Sequence, residues 1–240
     1  MTISIQNQRA SVRPNMRPNG RLVPVFGAHE NLSCDKLVHA LSRTAAARGE
    51  TVLMLDCMDG ALMKTAGIVT GKTLGDVLYR GADIRDAKYV AHNDHYTAAC
   101  AGDANLDALL GSLAALSLKY DWVFVATEAG CTPAHVRLAG AADTALLAFS
   151  SESDKFMRAY WMLNAIRARA PKFDPLIIAE GEQADSFETY DMLRHTVSEF
   201  LGAPPALGGI LETDQETFDL APTLLESLRH ETISLNRAAS

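Results

Sequence analysis

The stretch from Arg21 to Gly60 reads as strand, loop, helix, strand, and no other segment constrains the fold as tightly. Leu22 to Phe26 is a short apolar run that breaks at Gly27. Leu37, Leu41, Ala45 and Ala46 then recur at helical spacing until Gly49, and Val52 to Leu55 is a second apolar run ending at Asp56. A parallel pair of strands joined by a helix places the loop from Gly27 to Asp35 at the carboxyl end of the sheet, the edge at which such folds bind ligands.

The chemistry of that loop does not match its position. A loop that cradles phosphate needs glycines, so that consecutive backbone N–H groups can face the anion. It also needs a Lys to reach the terminal phosphates and a Ser or Thr hydroxyl for Mg²⁺. Here the loop is Gly27, Ala28, His29, Glu30, Asn31, Leu32, Ser33, Cys34, Asp35.

Composition sets outer limits. With 240 residues, 48% hydrophobic, the chain can bury one large core, and a single domain over 21–230 is expected between an arm at 1–20 and a tail at 231–240. The net charge of −7 argues against a general nucleic-acid surface, which needs clustered Lys and Arg. Cys34, Cys57, Cys100 and Cys131 show neither CxxC pairing nor zinc spacing, so free thiols in a reducing cytoplasm are expected. No apolar run spans a bilayer and the tail ETISLNRAAS is short and polar, so no stable membrane insertion is expected.

Along the rest of the chain, Thr73 to Gly81 is a capped helix, Tyr96 to Cys100 a strand, and the leucines from Leu106 to Leu118 an amphipathic helix packed on the sheet. Asp121 to Thr127 is a central buried strand, Pro133 opens a helix, and Thr144 to Phe149 is a further strand. Ser150, Ser151 and Ser153 before Asp154 predict a capped start for a helix from Lys155 to Ala170, with Phe156, Tyr160, Leu163 and Ile166 on one face and Trp161 and Met162 widening it. Strands at Pro175–Ala179 and Ala206–Leu211 and helices at Ala184–Leu201 and from Ala221 to about His230 complete the pattern. His92 and His95 read as loop histidines rather than metal ligands, since no third ligand stands at an established spacing.

The layout resembles the MinD/ParA family of deviant Walker A ATPases, with the flagellar-number regulators of the FlhG type the most similar branch. In that family the first strand is followed by K-G-G-x-G-K-[ST]. Counted back from RGETVLMLD, the signature Lys falls on His29, the glycines on Glu30, Asn31 and Ser33, the phosphate Lys on Cys34 and the Mg²⁺ hydroxyl on Asp35. TLGDVLYRGADIRDA, YDWVFVATEAG and FLGAPPALGGILETD are similar to further family segments, so the likeness runs over roughly residues 21–228.

The resemblance implies a doubly wound, mostly parallel α/β sheet of about seven or eight strands flanked by helices. It also implies a degenerate nucleotide site made of Gly27, His29, Glu30, Asn31, Ser33, Cys34, Asp35, Asp56, Ala126 and Gly130. Ala126 stands where an Asp would join the Mg²⁺ shell, Gly130 is kept, and Ala179-Glu180-Gly181 replaces the Asn that reads the base. Asp56 is open between a cap on a neighbouring turn and a water-activating acid, and Glu128 reads as a loop acid. Glu30 and Asp35 add negative charge where a polyphosphate would sit, and like charges in contact repel by about 4 kcal/mol at an effective dielectric near 20. No ATP or Mg²⁺ is therefore expected to bind. Lys36 lies about 200° around the helix from the lost Lys, so it should point away from the loop. Asn7 to Arg13 has the spacing of the FlhG motif D-Q-A-x-x-L-R, which would make Gln8 and Arg13 partner contacts on an otherwise plain polar arm.

The expectation is a pseudo-ATPase in the cytoplasm, drawn to the cell pole or inner membrane through protein partners, either dimeric without ATP or monomeric. Whether it is an enzyme stays open, because a nucleotide enzyme with a rebuilt pocket, akin to the tyrosine kinases of polysaccharide export, is the alternative.

Overall fold

The computed structural model describes residues 20–91, 95–152, 155–212 and 216–238, and the side chains within them except at 114, 115, 216 and from 230 onwards. In chain order the elements are β1 (Arg21–Gly27), α1 (Cys34–Ala47), β2 (Val52–Cys57), α2 (Ala61–Thr65), α3 (Leu74–Arg80), β3 (Tyr89–Val90), β4 (Thr97–Cys100), α4 (Leu106–Ser117), β5 (Trp122–Thr127), α5 (Pro133–Ala141), β6 (Leu146–Ser150), α6 (Phe156–Arg167), β7 (Leu176–Glu180), α7 (Gln183–Phe200), β8 (Leu207–Leu211) and α8 (Glu216–Ala238).

The eight strands form one sheet in the order β3-β4-β2-β5-β1-β6-β7-β8. Every pairing is parallel except that of β3 with β4. β1 and β5 lie at its centre and are buried along their whole length, as strands covered on both faces should be. Alternation along β1 sorts the core. Val23 and Val25 join Leu37, Leu41, Leu224 and Leu228 of α1 and α8 on one face, while Leu22 and Phe26 join Leu113, Leu138, Leu163 and Leu193 of α4 to α7 on the other. Each such fully buried side chain contributes about 1.5–3 kcal/mol.

Arg21, at the amino end of β1, is nearly buried and fixes α8 in place. Its guanidinium lies 5.0 Å from the Trp122 ring centroid and donates to the carbonyl oxygens of Leu228 at 2.9 Å and Arg229 at 3.2 Å. The planar fork satisfies two helix carbonyls while its face covers an aromatic ring, a combination open to Arg and not to Lys.

Several expectations are met in detail. α3 carries the capping box Thr73–Asp76, and Gly81 closes it by donating its N–H to the Asp76 carbonyl. α5 starts at Pro133 with Thr132 as cap. Others need correction. The last helix begins at Glu216 and its backbone continues to Ala238, so the tail expected at 231–240 is helical up to 238. Nothing between 231 and 238 is a Gly or Pro stop signal, and Ala221, expected as the start, lies with Pro222 in the second turn instead. The serine-rich cap for α6 does not form. Lys155 is its N-cap without a side-chain bond, and Ser150 Oγ accepts from the Glu152 N–H at 3.3 Å instead; Ser153 and Asp154 lie outside the described residues. Trp161 does not widen the core face either, being 59% exposed. The short elements α2 and β3 carry no periodicity that a sequence could reveal.

Candidate functional site

The loop from Ala28 to Ser33 leaves the carboxyl end of β1 and enters α1 beside the ends of β6 and β7. His29 folds back over this edge. The Ser150 N–H donates to its Nε2 at 3.0 Å, so the ring proton is on Nδ1, which donates to the Glu30 carbonyl at 2.9 Å. The imidazole is thus engaged with its own chain at both ring nitrogens. Glu30 and Asn31 are exposed, Asn31 with a left-handed φ of 65°.

Ser33 precedes the helix, and its hydroxyl makes no cap. Its N–H donates instead to Glu180 Oε1 at 2.8 Å, from the end of β7. The next residue, Cys34, is buried with its sulfur against the loop's first turn. A Cβ added at Gly27 would lie 3.2 Å from Cys34 Sγ. Burial, with the charges of Glu180 and Asp35, pushes the Cys34 thiol far up, so it is a packing group and no nucleophile. Asp35 turns away from the loop to accept a hydrogen bond from Thr65 Oγ1 of α2. The Asp35 charge, expected from the sequence to face the loop, is therefore directed sideways and ties α1 to α2.

Asp56 is the penultimate residue of β2 and is fully buried. Its carboxylate accepts the N–H groups of Met58 at 2.7 Å and Met63 at 2.9 Å, so the turn into α2 wraps around it. Burial raises its pKa, opposed by those backbone hydrogen bonds. Of the two sequence readings, turn cap or water-activating acid, the geometry is that of the cap. Ala126 pairs with Asp56 across β5 and is buried, leaving no carboxylate at that strand end, and the next residue, Thr127, donates its hydroxyl to the Val25 carbonyl at 3.2 Å. Gly130, at φ 96°, donates its N–H to the Gly27 carbonyl at 2.9 Å, a conformation an L residue would strain to adopt. Glu128 is exposed.

Three clefts open around the loop. One of about 310 Å³ is bordered by Glu30, Glu152, Glu180 and Glu212 with Lys155 as its cation. A second of about 330 Å³ lies over Gly27, Cys34, Met58 and Glu128. The third, about 350 Å³, runs between the loop, Gly130, Lys155 and Arg158. Lys36 borders none of them, as its angular position on α1 requires. Gln8, Arg13 and His92 lie outside the described residues, and among the described residues no three His, Cys, Asp or Glu side chains converge as metal ligands. All four cysteines are unpaired.

The structure thus gathers Gly27, His29, Glu30, Asn31, Ser33, Cys34, Asp35, Asp56, Ala126 and Gly130 at one edge. It adds Glu180, Thr65, Ser150, Lys155 and Arg158. The sequence marks Glu180 only as part of the segment that replaces a base-reading Asn; that it reaches a loop 147 residues away depends on strand order and leaves no local signal.

No protein-family profile matches the chain, and no curated protein sequence does. Solved structures do. The cell division ATPase MinD of Pyrococcus furiosus aligns with TM-score 0.72 and 17% identity over 88% of this chain and 99% of its own. Apo McdA of Cyanothece aligns with TM-score 0.69 and 14% identity over 89% and 99%. The MinC:MinD cell division complex of Aquifex aeolicus aligns with TM-score 0.68 and 14% identity over 88% and 95%. The chain has the MinD/ParA-type fold, with its mostly parallel eight-stranded sheet.

Proposed function

We propose that this chain, built on the MinD/ParA-type fold, is a regulator or scaffold that acts by protein recognition without turning over ATP, and that it serves a polar or envelope-associated bacterial machine such as a flagellum, a pilus or a polysaccharide exporter. The observation that carries this is the loop after β1. The groups that would hold a triphosphate and Mg²⁺ are a buried thiol at Cys34 and a carboxylate at Asp35, and the entry to α1 is bonded to Glu180. Phosphoryl transfer depends almost wholly on cations and hydroxyls positioned around the phosphates. Here one cleft along the loop is bordered by four glutamates and a single lysine, Lys155, among the described residues.

Protein partners are supported by the fold neighbour that assembles with MinC. Gln8 and Arg13 are candidate contacts on the arm. A homodimer, if formed, is made by side chains and needs no nucleotide. No helix among the described residues is long and apolar enough to cross a membrane, and a cytoplasmic protein recruited to the pole or inner membrane by its partner fits this reading. One observation favours the second reading, a rebuilt nucleotide site: Lys155 and Arg158 border the same cleft as the loop.

Calorimetric titration of the purified chain with MgATP, paired with a phosphate-release assay, separates the two. The first reading expects no binding up to millimolar nucleotide and no release. Micromolar binding would overturn it in favour of the second.

A further inference from the structure

The N-terminus of α1 has no cap of its own, since Ser33 makes no side-chain bond to the first turn. A helix start of this kind leaves N–H groups without intrahelical partners and carries partial positive charge, which together attract anions. In this chain one of those N–H groups, that of Ser33, is already taken by Glu180 Oε1 at 2.8 Å. The carboxylate is delivered from two strands away, because β6 alone separates β7 from β1. Its backbone is held rigidly. The Ser151 N–H donates to the Glu180 carbonyl at 2.8 Å, and the following Gly181 N–H donates to the Leu211 carbonyl at 2.9 Å. Gly181 has φ 139°, and a Cβ there would also lie 1.9 Å from Ser151 Oγ, so a side chain at this position would strain the path out of β7. Glu180 also stands close enough to Cys34 for its charge to add to burial in disfavouring the thiolate.

We propose that Glu180 is an internal ligand of the α1 N-terminus: its carboxylate stands where an anion would, closes the loop without nucleotide and excludes polyphosphate by charge and by occupancy. This rests on the reading of the loop as a nucleotide site without its chemistry, and names what has taken the anion's place. The contact is an autoinhibitory one built into the sheet. Its position depends on β7 and β8 staying docked, so the state of the loop is coupled to that half of the molecule.

The test is amide hydrogen exchange at Ser33, read by NMR on the full chain. Glu180→Ala removes the carboxylate. Glu180→Asp keeps the charge and draws it back by one methylene, and this variant is the one expected to fold even if the first does not. Exchange at Ser33 should be roughly tenfold to a hundredfold faster in both variants than in the unaltered chain. Millimolar inorganic pyrophosphate should slow it again in Glu180→Ala and leave the unaltered chain unchanged. Unchanged exchange at Ser33 in folded Glu180→Asp would overturn the assignment. So would a failure of pyrophosphate to slow exchange in folded Glu180→Ala, since the carboxylate would then be a structural contact with no anion behind it. Binding of MgATP by the unaltered chain would overturn the functional reading itself, a result distinguishable from either of these.

Discussion

Asp56 is a buried carboxylate whose two oxygens accept the N–H groups of Met58 and Met63. An Asn there has one acceptor and must turn its amide against the other N–H, so Asp56→Asn should destabilise the fold by up to about 3 kcal/mol. The pH dependence follows from the direction of its shift. Burial raises the folded pKa above the ordinary 3.8, so the folded state holds the proton more tightly than the unfolded one. The stability Asp56 contributes is therefore greatest in acid and is lost as pH rises from 3.8 through the raised value. Urea denaturation should find the gap between the unaltered chain and Asp56→Asn narrowing from about pH 4 to pH 7; a gap that widens would contradict this. At this scale the sequence reveals residue types and not their partners. That Cys34 lacks a lysine's chemistry is plain from its identity. Its burial against Gly27 is not, and nothing near Asp35 in the chain announces Thr65.

Between elements, a hydrogen bond from Thr65 to Asp35 joins α2 to α1. Thr65→Val and Asp35→Asn, with their double variant, should show a coupling of about 0.5–1.5 kcal/mol in thermal or urea unfolding. Strict additivity would show that the two helices are not linked there. A second device caps α5. Thr132 donates its N–H to His135 Nδ1 at 3.1 Å and the His135 N–H returns to Thr132 Oγ1 at 3.4 Å, with the ring 5.9 Å from that of Phe26. Thr132→Ala should cost about 1 kcal/mol. Burial pulls the His135 pKa below its ordinary 6.5, only partly opposed by Glu128. The unfolded state therefore binds the proton first, and stability from His135 is lost as pH falls below 6.5, a slope that His135→Gln should flatten. Capping signals make α3 legible from sequence to within a residue at both ends, and α5 at its start. α8 is not legible in this way, because its first turn precedes the internal Pro222 and no Gly or Pro marks its end.

For the whole molecule, hydrophobic runs and helix periods mark the seven longer strands, since burial on both faces writes itself into apolar runs, while the doubly wound, mostly parallel class is what the family resemblance implies. Strand order was not recoverable that way, and with it went the approach of β7 to the α1 loop. The net charge of −7 leads to a further expectation: no shift of random duplex DNA in a low-salt gel assay, with retarded bands reopening a nucleic-acid role. The decisive measurement is a crystal structure of the chain grown in millimolar MgATP. The expected result is a loop closed by its own groups, Glu180 on the Ser33 amide and Asp35 on Thr65, with the phosphate positions empty. A triphosphate seated over Cys34 and Asp35, with Glu180 swung away, would contradict it.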